Sequence, residues 1–135
     1  MRKGVLSAVL LATMIVLGSW ALSSAVPEKG PSGISAVKAM LAQNCALAGC
    51  HRTNFPTANL RLDTGRFPTS VLDVKSGQLP DRKLVDTKAP ERSYFLAKIR
   101  GEAGIGGGRM PLNRAPLSDK QIQEVEAWIK SLKAQ

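Results

Sequence analysis

The chain is 135 residues long and carries 19 lysines and arginines against 10 acidic residues, a formal net charge of +9. That length supports one domain behind a short leader, and an aromatic content of 4% leaves its core thin. The basic residues are scattered, with no aromatic interleaving and no basic helix, which argues against nucleic-acid binding; the charge suits an acidic protein partner or an anionic membrane surface instead.

Residues 1–25 have the three-part layout of a secretory signal: Arg2 and Lys3, an apolar run over residues 5–17, then Ser23, Ser24 and Ala25. Cleavage after Ala25 leaves 110 residues; removing Arg2 and Lys3 leaves 17 basic against 10 acidic, a net charge of +7. A retained membrane anchor is the alternative, because residues 5–22 approach the ~18 apolar residues of a span. Ser7, Thr13, Gly18 and Ser19 weaken it, and no cysteine lies near the amino terminus to carry a lipid. Export is therefore expected. Outside the cytoplasm, nearby thiols are oxidised, metal-bound or covalently modified.

Residues 26–33, VPEKGPSG, read as a Pro/Gly linker, and the domain is expected over residues 34–135. Ser32 is a plausible N-cap for a first helix with Ile34, Val37, Met40 and Leu41 on one face. Residues 53–89 lose period at Pro56, Gly65, Pro68, Gly77 and Pro80 and read as loop with a turn or two of helix. Within them NLRLDT alternates Leu60 and Leu62 with polar residues, as a short extended segment would. PERSYFLAKIRG predicts a second helix of about ten residues, with Pro90 in its first turn and Gly101 in a left-handed C-terminal position. The five glycines of residues 101–108 do not form a phosphate-binding loop, since no strand precedes them.

The last segment has the clearest helix start. Ser118 and Gln121 form a capping box, and Leu117 and Ile122 occupy the staple positions. Ile122, Val125, Trp128, Ile129 and Leu132 make one apolar stripe. With no strand signal, the domain is expected to be all-α, about three helices and long loops.

Both cysteines and the only histidine fall within CALAGCH, residues 45–51. Three chemistries compete for them. A Cys45–Cys50 disulfide closes only a short loop and leaves His51 unexplained. A structural zinc site needs about four protein ligands, and the fourth would have to be a distant carboxylate. Covalent haem attachment uses all three residues: two thiols add to the porphyrin vinyl groups and the following histidine ligates the iron, as in C-x-x-C-H. Here four residues separate the thiols instead of two. A second axial ligand would have to be a thioether, a water or nothing. Met40 is too close along the chain to reach the opposite face and reads as core. Met110 follows the flexible glycine tract and precedes Pro111, in a loop able to arch over the far face.

From Ile34 to Leu132 the chain resembles a class I cytochrome c domain, and more narrowly the planctomycete-type cytochrome c domains. The stretches that carry the resemblance are CALAGCH, NLRLDT, KLVDTKAPERSYFLAKIRG and GRMPLNRAPLSDKQIQEVEAWI. It implies one haem c with Cys45 and Cys50 as thioether sites, His51 as proximal ligand and Met110 as distal ligand. It also implies a first helix, carrying Val37, Met40 and Leu41, packed across the last one near Trp128. The four-residue spacer departs from the family pattern. A macrocycle at the centre would account for the thin aromatic inventory, with Leu60, Leu62, Phe67, Leu96 and Ile99 as expected wall and Arg61, Arg66 and Arg109 as candidate propionate partners.

The implied role is non-enzymatic: single-electron transfer with an acidic redox protein or a membrane-bound oxidoreductase complex. The setting would be the bacterial periplasm or the outer face of the cytoplasmic membrane. A haem sensor or small peroxidase with an open distal site, and a cofactor-free disulfide-stapled binding module, are the rivals.

Overall fold

A computed structural model describes residues 33–52, 55–63 and 65–133. The expected signal of residues 1–25, the linker up to its last residue and Ser32 lie outside the described residues. Among those described, no helix is long and apolar enough to cross a membrane. The elements are α1 (Ile34–Asn44), a 3-10 turn at Thr57–Asn59, a second at Pro90–Arg92, α2 (Tyr94–Arg100) and α3 (Asp119–Leu132). The domain is all-α.

The N-cap of α1 is Gly33, with φ +65°, rather than Ser32. The helical ladder begins there, because the Val37 amide donates to the Gly33 carbonyl at 3.3 Å. Ala36, Val37, Met40 and Leu41 are buried, a stripe at the spacing that places residues on one helical face. Met40 belongs to the core, as expected.

Residues 71–87 are a doubled-back lobe, more ordered than their composition suggests. The Asp73 amide donates to Val85 O at 2.8 Å, that of Leu84 to Val74 O at 2.7 Å, and that of Val85 to Val71 O at 3.0 Å. Val71 and Val85 are fully buried at its centre.

The expected ten-residue second helix is divided. Ser93 breaks it with φ −58° and ψ 120°, and its hydroxyl accepts the Asp86 amide at 3.0 Å, tying the break to the lobe. No side chain caps α2. Its first two amides, of Tyr94 and Phe95, instead donate to Lys83 O and Leu84 O, each at 2.9 Å, which satisfies donors that a helix start leaves unpaired. The helix ends as predicted at Gly101, φ 72° and ψ 40°, a region where a side chain would be strained. Every residue from 94 to 99 is buried.

The expected features of α3 are all present. The Gln121 amide donates to Ser118 Oγ at 3.3 Å and the Ser118 amide to Gln121 Oε1 at 2.9 Å. Leu117, Ile122, Val125, Trp128 and Ile129 are buried, with Leu132 packed at the edge. Helix α3 packs on both α1 and α2, and the Arg100–Glu126 ion pair joins α2 to α3 at its rim.

Candidate cofactor site

At the end of α1 the amides of Cys45 and Ala46 both donate to Leu41 O at 2.8 Å, so the chain leaves the helix in a tight turn. The Cys50 amide donates to Leu47 O at 3.0 Å, Gly49 takes φ +77°, and the His51 amide reaches back to Cys45 O at 3.1 Å. That last bond joins the two ends of CALAGCH. The four spacer residues are therefore taken up in a closed loop.

Both thiols are free, Cys45 buried and Cys50 half-buried. Burial, reinforced by Cys50 and opposed by Arg114, pushes the Cys45 thiol up to about 11, so it is protonated at neutral pH.

His51 is held on two sides. Its carbonyl accepts the Leu62 amide at 2.8 Å, and its Nδ1 lies 3.1 Å from Leu60 O. A carbonyl oxygen only accepts, so Nδ1 carries the hydrogen and the neutral ring keeps its lone pair on Nε2. Burial, with Lys98 adding to it, holds the imidazole below its ordinary pKa, although backbone bonding to Leu60 and Thr57 works the other way. The ring is thus neutral at pH 7, the form that ligates a metal, with an outer partner fixing its tautomer.

The extended stretch after the 3-10 turn is as expected in conformation, with Leu60 at φ −97° and ψ 116°. Its backbone partner is the His51 carbonyl and no strand forms. Leu60 and Leu62 face the same way, and Arg61 turns aside to pair with Asp63 at 2.9 Å.

Met110 is fixed from α2. Its amide donates to Lys98 O at 2.9 Å. The glycine tract before it is not loose, contrary to expectation: Lys98 Nζ donates to Gly106 O at 2.7 Å and Gly108 O at 3.0 Å. The Tyr94 hydroxyl accepts the Gly106 amide at 2.9 Å and donates to Gln78 Oε1 at 3.0 Å. A Cβ on Gly106 would stand 3.1 Å from Gln78 Cβ, so the close approach of tract and lobe favours glycine there.

Cys45, Cys50, His51 and Met110 all line one cavity of about 610 Å³, within the ~300–1,000 Å³ of pockets that engulf a cofactor-sized ligand. Leu60, Leu62 and Ile99 line it as expected, whereas Phe67 and Leu96 do not. Phe67 packs on Trp128 in the core, Leu96 is buried in that core too, and Phe95, its neighbour in α2, faces the cavity.

None of the three arginines expected at the propionates lines the cavity. Arg61 is paired with Asp63, Arg66 is exposed, and Arg109 Nε donates to Ile99 O at 2.9 Å. Lys75, Lys98 and Arg114 supply the cationic lining instead. Sequence reasoning missed Lys98, Tyr94 and Phe95 as parts of the site; the apolar run of α2 marks it as a core helix but does not say which of its residues face a cavity.

The donor set fits a haem. Two thiols six positions from end to end of a closed loop, a neutral imidazole with its lone pair on Nε2, and a thioether from another loop meet around a cavity walled by leucine, isoleucine and phenylalanine. Among the described residues no group of three or more histidines, cysteines and carboxylates stands together to hold a bare metal ion. No family model matches the chain, and neither a curated protein nor a solved structure does.

Proposed function

We propose that the protein is a monohaem c-type cytochrome of the class I kind, an electron carrier and not an enzyme. The observation that carries this reading is the convergence of Cys45, Cys50, His51 and Met110 on one cofactor-sized cavity. Cys45 and Cys50 would hold the haem covalently, and His51 and Met110 would ligate its iron. The haem supplies a one-electron iron couple whose potential is raised by methionine ligation relative to two histidines.

The chain's own groups do the rest. The Leu60 carbonyl orients His51, and the clamp on the glycine tract presents Met110 while the apolar walls exclude water. Were His51 and Met110 both to ligate the iron, no position would be left for a substrate, which favours a carrier over a sensor or peroxidase. Lys98 and Tyr94 support this by anchoring the loop whose release an open distal site would require. Where the cavity lining meets solvent, exposed Val74 and Leu112 stand with exposed Lys75 and Arg114. An apolar contact edged by cations suits an acidic redox partner, free or part of a membrane-bound complex.

The test is mass spectrometry of the exported protein made with a haem-attachment system, beside its pyridine haemochrome spectrum. One added haem mass and a c-type spectrum are expected. A haem-free chain with Cys45 and Cys50 joined to each other would overturn the reading.

A further inference from the structure

Lys98 is 9% exposed, the only charged residue so buried among those described. Its ammonium meets two carbonyls and no carboxylate. Burying an unpaired cation is costly, and a leucine would fill the same place on α2 without that cost. What a leucine would lack is the geometry. From one residue of α2, Nζ takes the carbonyls of Gly106 and Gly108 while the backbone carbonyl takes the Met110 amide at 2.9 Å. Three bonds thus converge on the loop from one rigid helical position. Two of them are charge-assisted, the stronger kind. One turn earlier, the Tyr94 hydroxyl holds the Gly106 amide. Residues 104 and 106–108 are all glycines, the residue with most conformational freedom to lose, so the tract has little order of its own to impose on Met110.

We propose that Lys98 is the positioning residue for Met110, presenting the thioether to the cavity by locking the glycine tract against α2. This role rests on the haem reading, since it concerns the ligand on the distal side. Removing the ammonium takes away two of the tract's four anchors, leaving those from the Tyr94 hydroxyl and the residue-98 carbonyl, while the covalent attachment through Cys45 and Cys50, on another segment, is untouched.

The experiment compares mature, haem-loaded wild type with Lys98→Leu and Lys98→Arg. Three readouts are taken: the weak far-red sulfur-to-iron absorption, carbon monoxide binding by the reduced protein, and hydrogen exchange at the Met110 amide. Lys98→Leu is expected to keep its haem, lose or weaken the far-red band and bind carbon monoxide about tenfold or more tightly, the loss expected from charge-assisted bonds. Lys98→Arg, which keeps donors and charge, restores the band in part. In the wild type the Met110 amide exchanges as slowly as the amides of α2.

A Lys98→Leu protein with wild-type band and wild-type carbon monoxide affinity overturns the role and leaves the haem reading standing. If Lys98→Leu does not accumulate, fast exchange of the Met110 amide in the wild type overturns it equally. A wild type that carries no haem overturns both together.

Discussion

The rings of Phe67 and Trp128 meet with centroids 5.0 Å apart and planes tilted by 47°. The aperiodic loop after the CALAGCH turn is thereby pinned to the last helix, and Phe67 joins the core with Trp128 instead of lining the cavity. Trp128→Ala should cost about 3–5 kcal/mol, as truncation of a buried aromatic does, measured as the shift in urea unfolding. A loss under 1 kcal/mol would mean that this pair is not what holds the loop down.

Met110→Ala separates the ligand from the tether. The variant should retain its covalently bound haem, since the thiols and His51 are on another segment, and should lose the far-red sulfur-to-iron band. An unchanged band would remove Met110 from the iron.

Gly49 sits at φ +77° with nothing within 4 Å of where a Cβ would stand. The cost of Gly49→Ala is therefore backbone strain alone, about 1 kcal/mol, and the closed loop should still form. Thermal unfolding of the loaded protein checks the cost. A variant that no longer acquires haem would show that the loop tolerates no adjustment.

Asp73 governs the acid side of stability. The Lys83 ammonium at 2.6 Å, then the Thr87 hydroxyl at 2.6 Å and the Thr87 amide, hold its carboxyl down to about 2, from an ordinary 3.8. A carboxyl depressed in the folded state stabilises fully above 3.8, and its contribution is lost as the pH falls through 3.8 towards 2. At 42% exposure solvent screens the pair, so the effect is modest. Asp73→Asn should be less stable than wild type at pH 7, with the gap closing between pH 3.8 and 2. A gap that stays constant through that window would place the stabilisation elsewhere.

The elements written in local chemistry were legible in the sequence. Ser118 and Gln121 mark a helix start by their spacing alone, and Gly101 marks an end because left-handed backbone suits it. The apolar stripe of α3 needs only its period to be read. The candidate ligands were legible too, because two cysteines, one histidine and two methionines beyond residue 25 left few combinations.

What escaped depends on contacts made far along the chain. Nothing in the sequence around Lys98 marks it as buried, because its partners are the carbonyls of Gly106 and Gly108 in a separate loop. The order of residues 71–87 comes from backbone pairing around Val71 and Val85, which leaves no periodic trace. Arg61, Arg66 and Arg109 looked like anion partners because charge is visible in a sequence, whereas their engagement by Asp63, by solvent and by the Ile99 carbonyl is not.

Helix α2 begins on carbonyls borrowed from Lys83 and Leu84, not on a cap of its own. A seven-residue helix is far too short to persist alone, so it can exist only while the lobe before it is closed. Lobe and helix must then open as one cooperative unit. Because the Met110 amide hangs on that helix, any excursion that unzips the lobe loosens the grip on the thioether, and the message passes through two backbone bonds, Tyr94 N to Lys83 O and Phe95 N to Leu84 O.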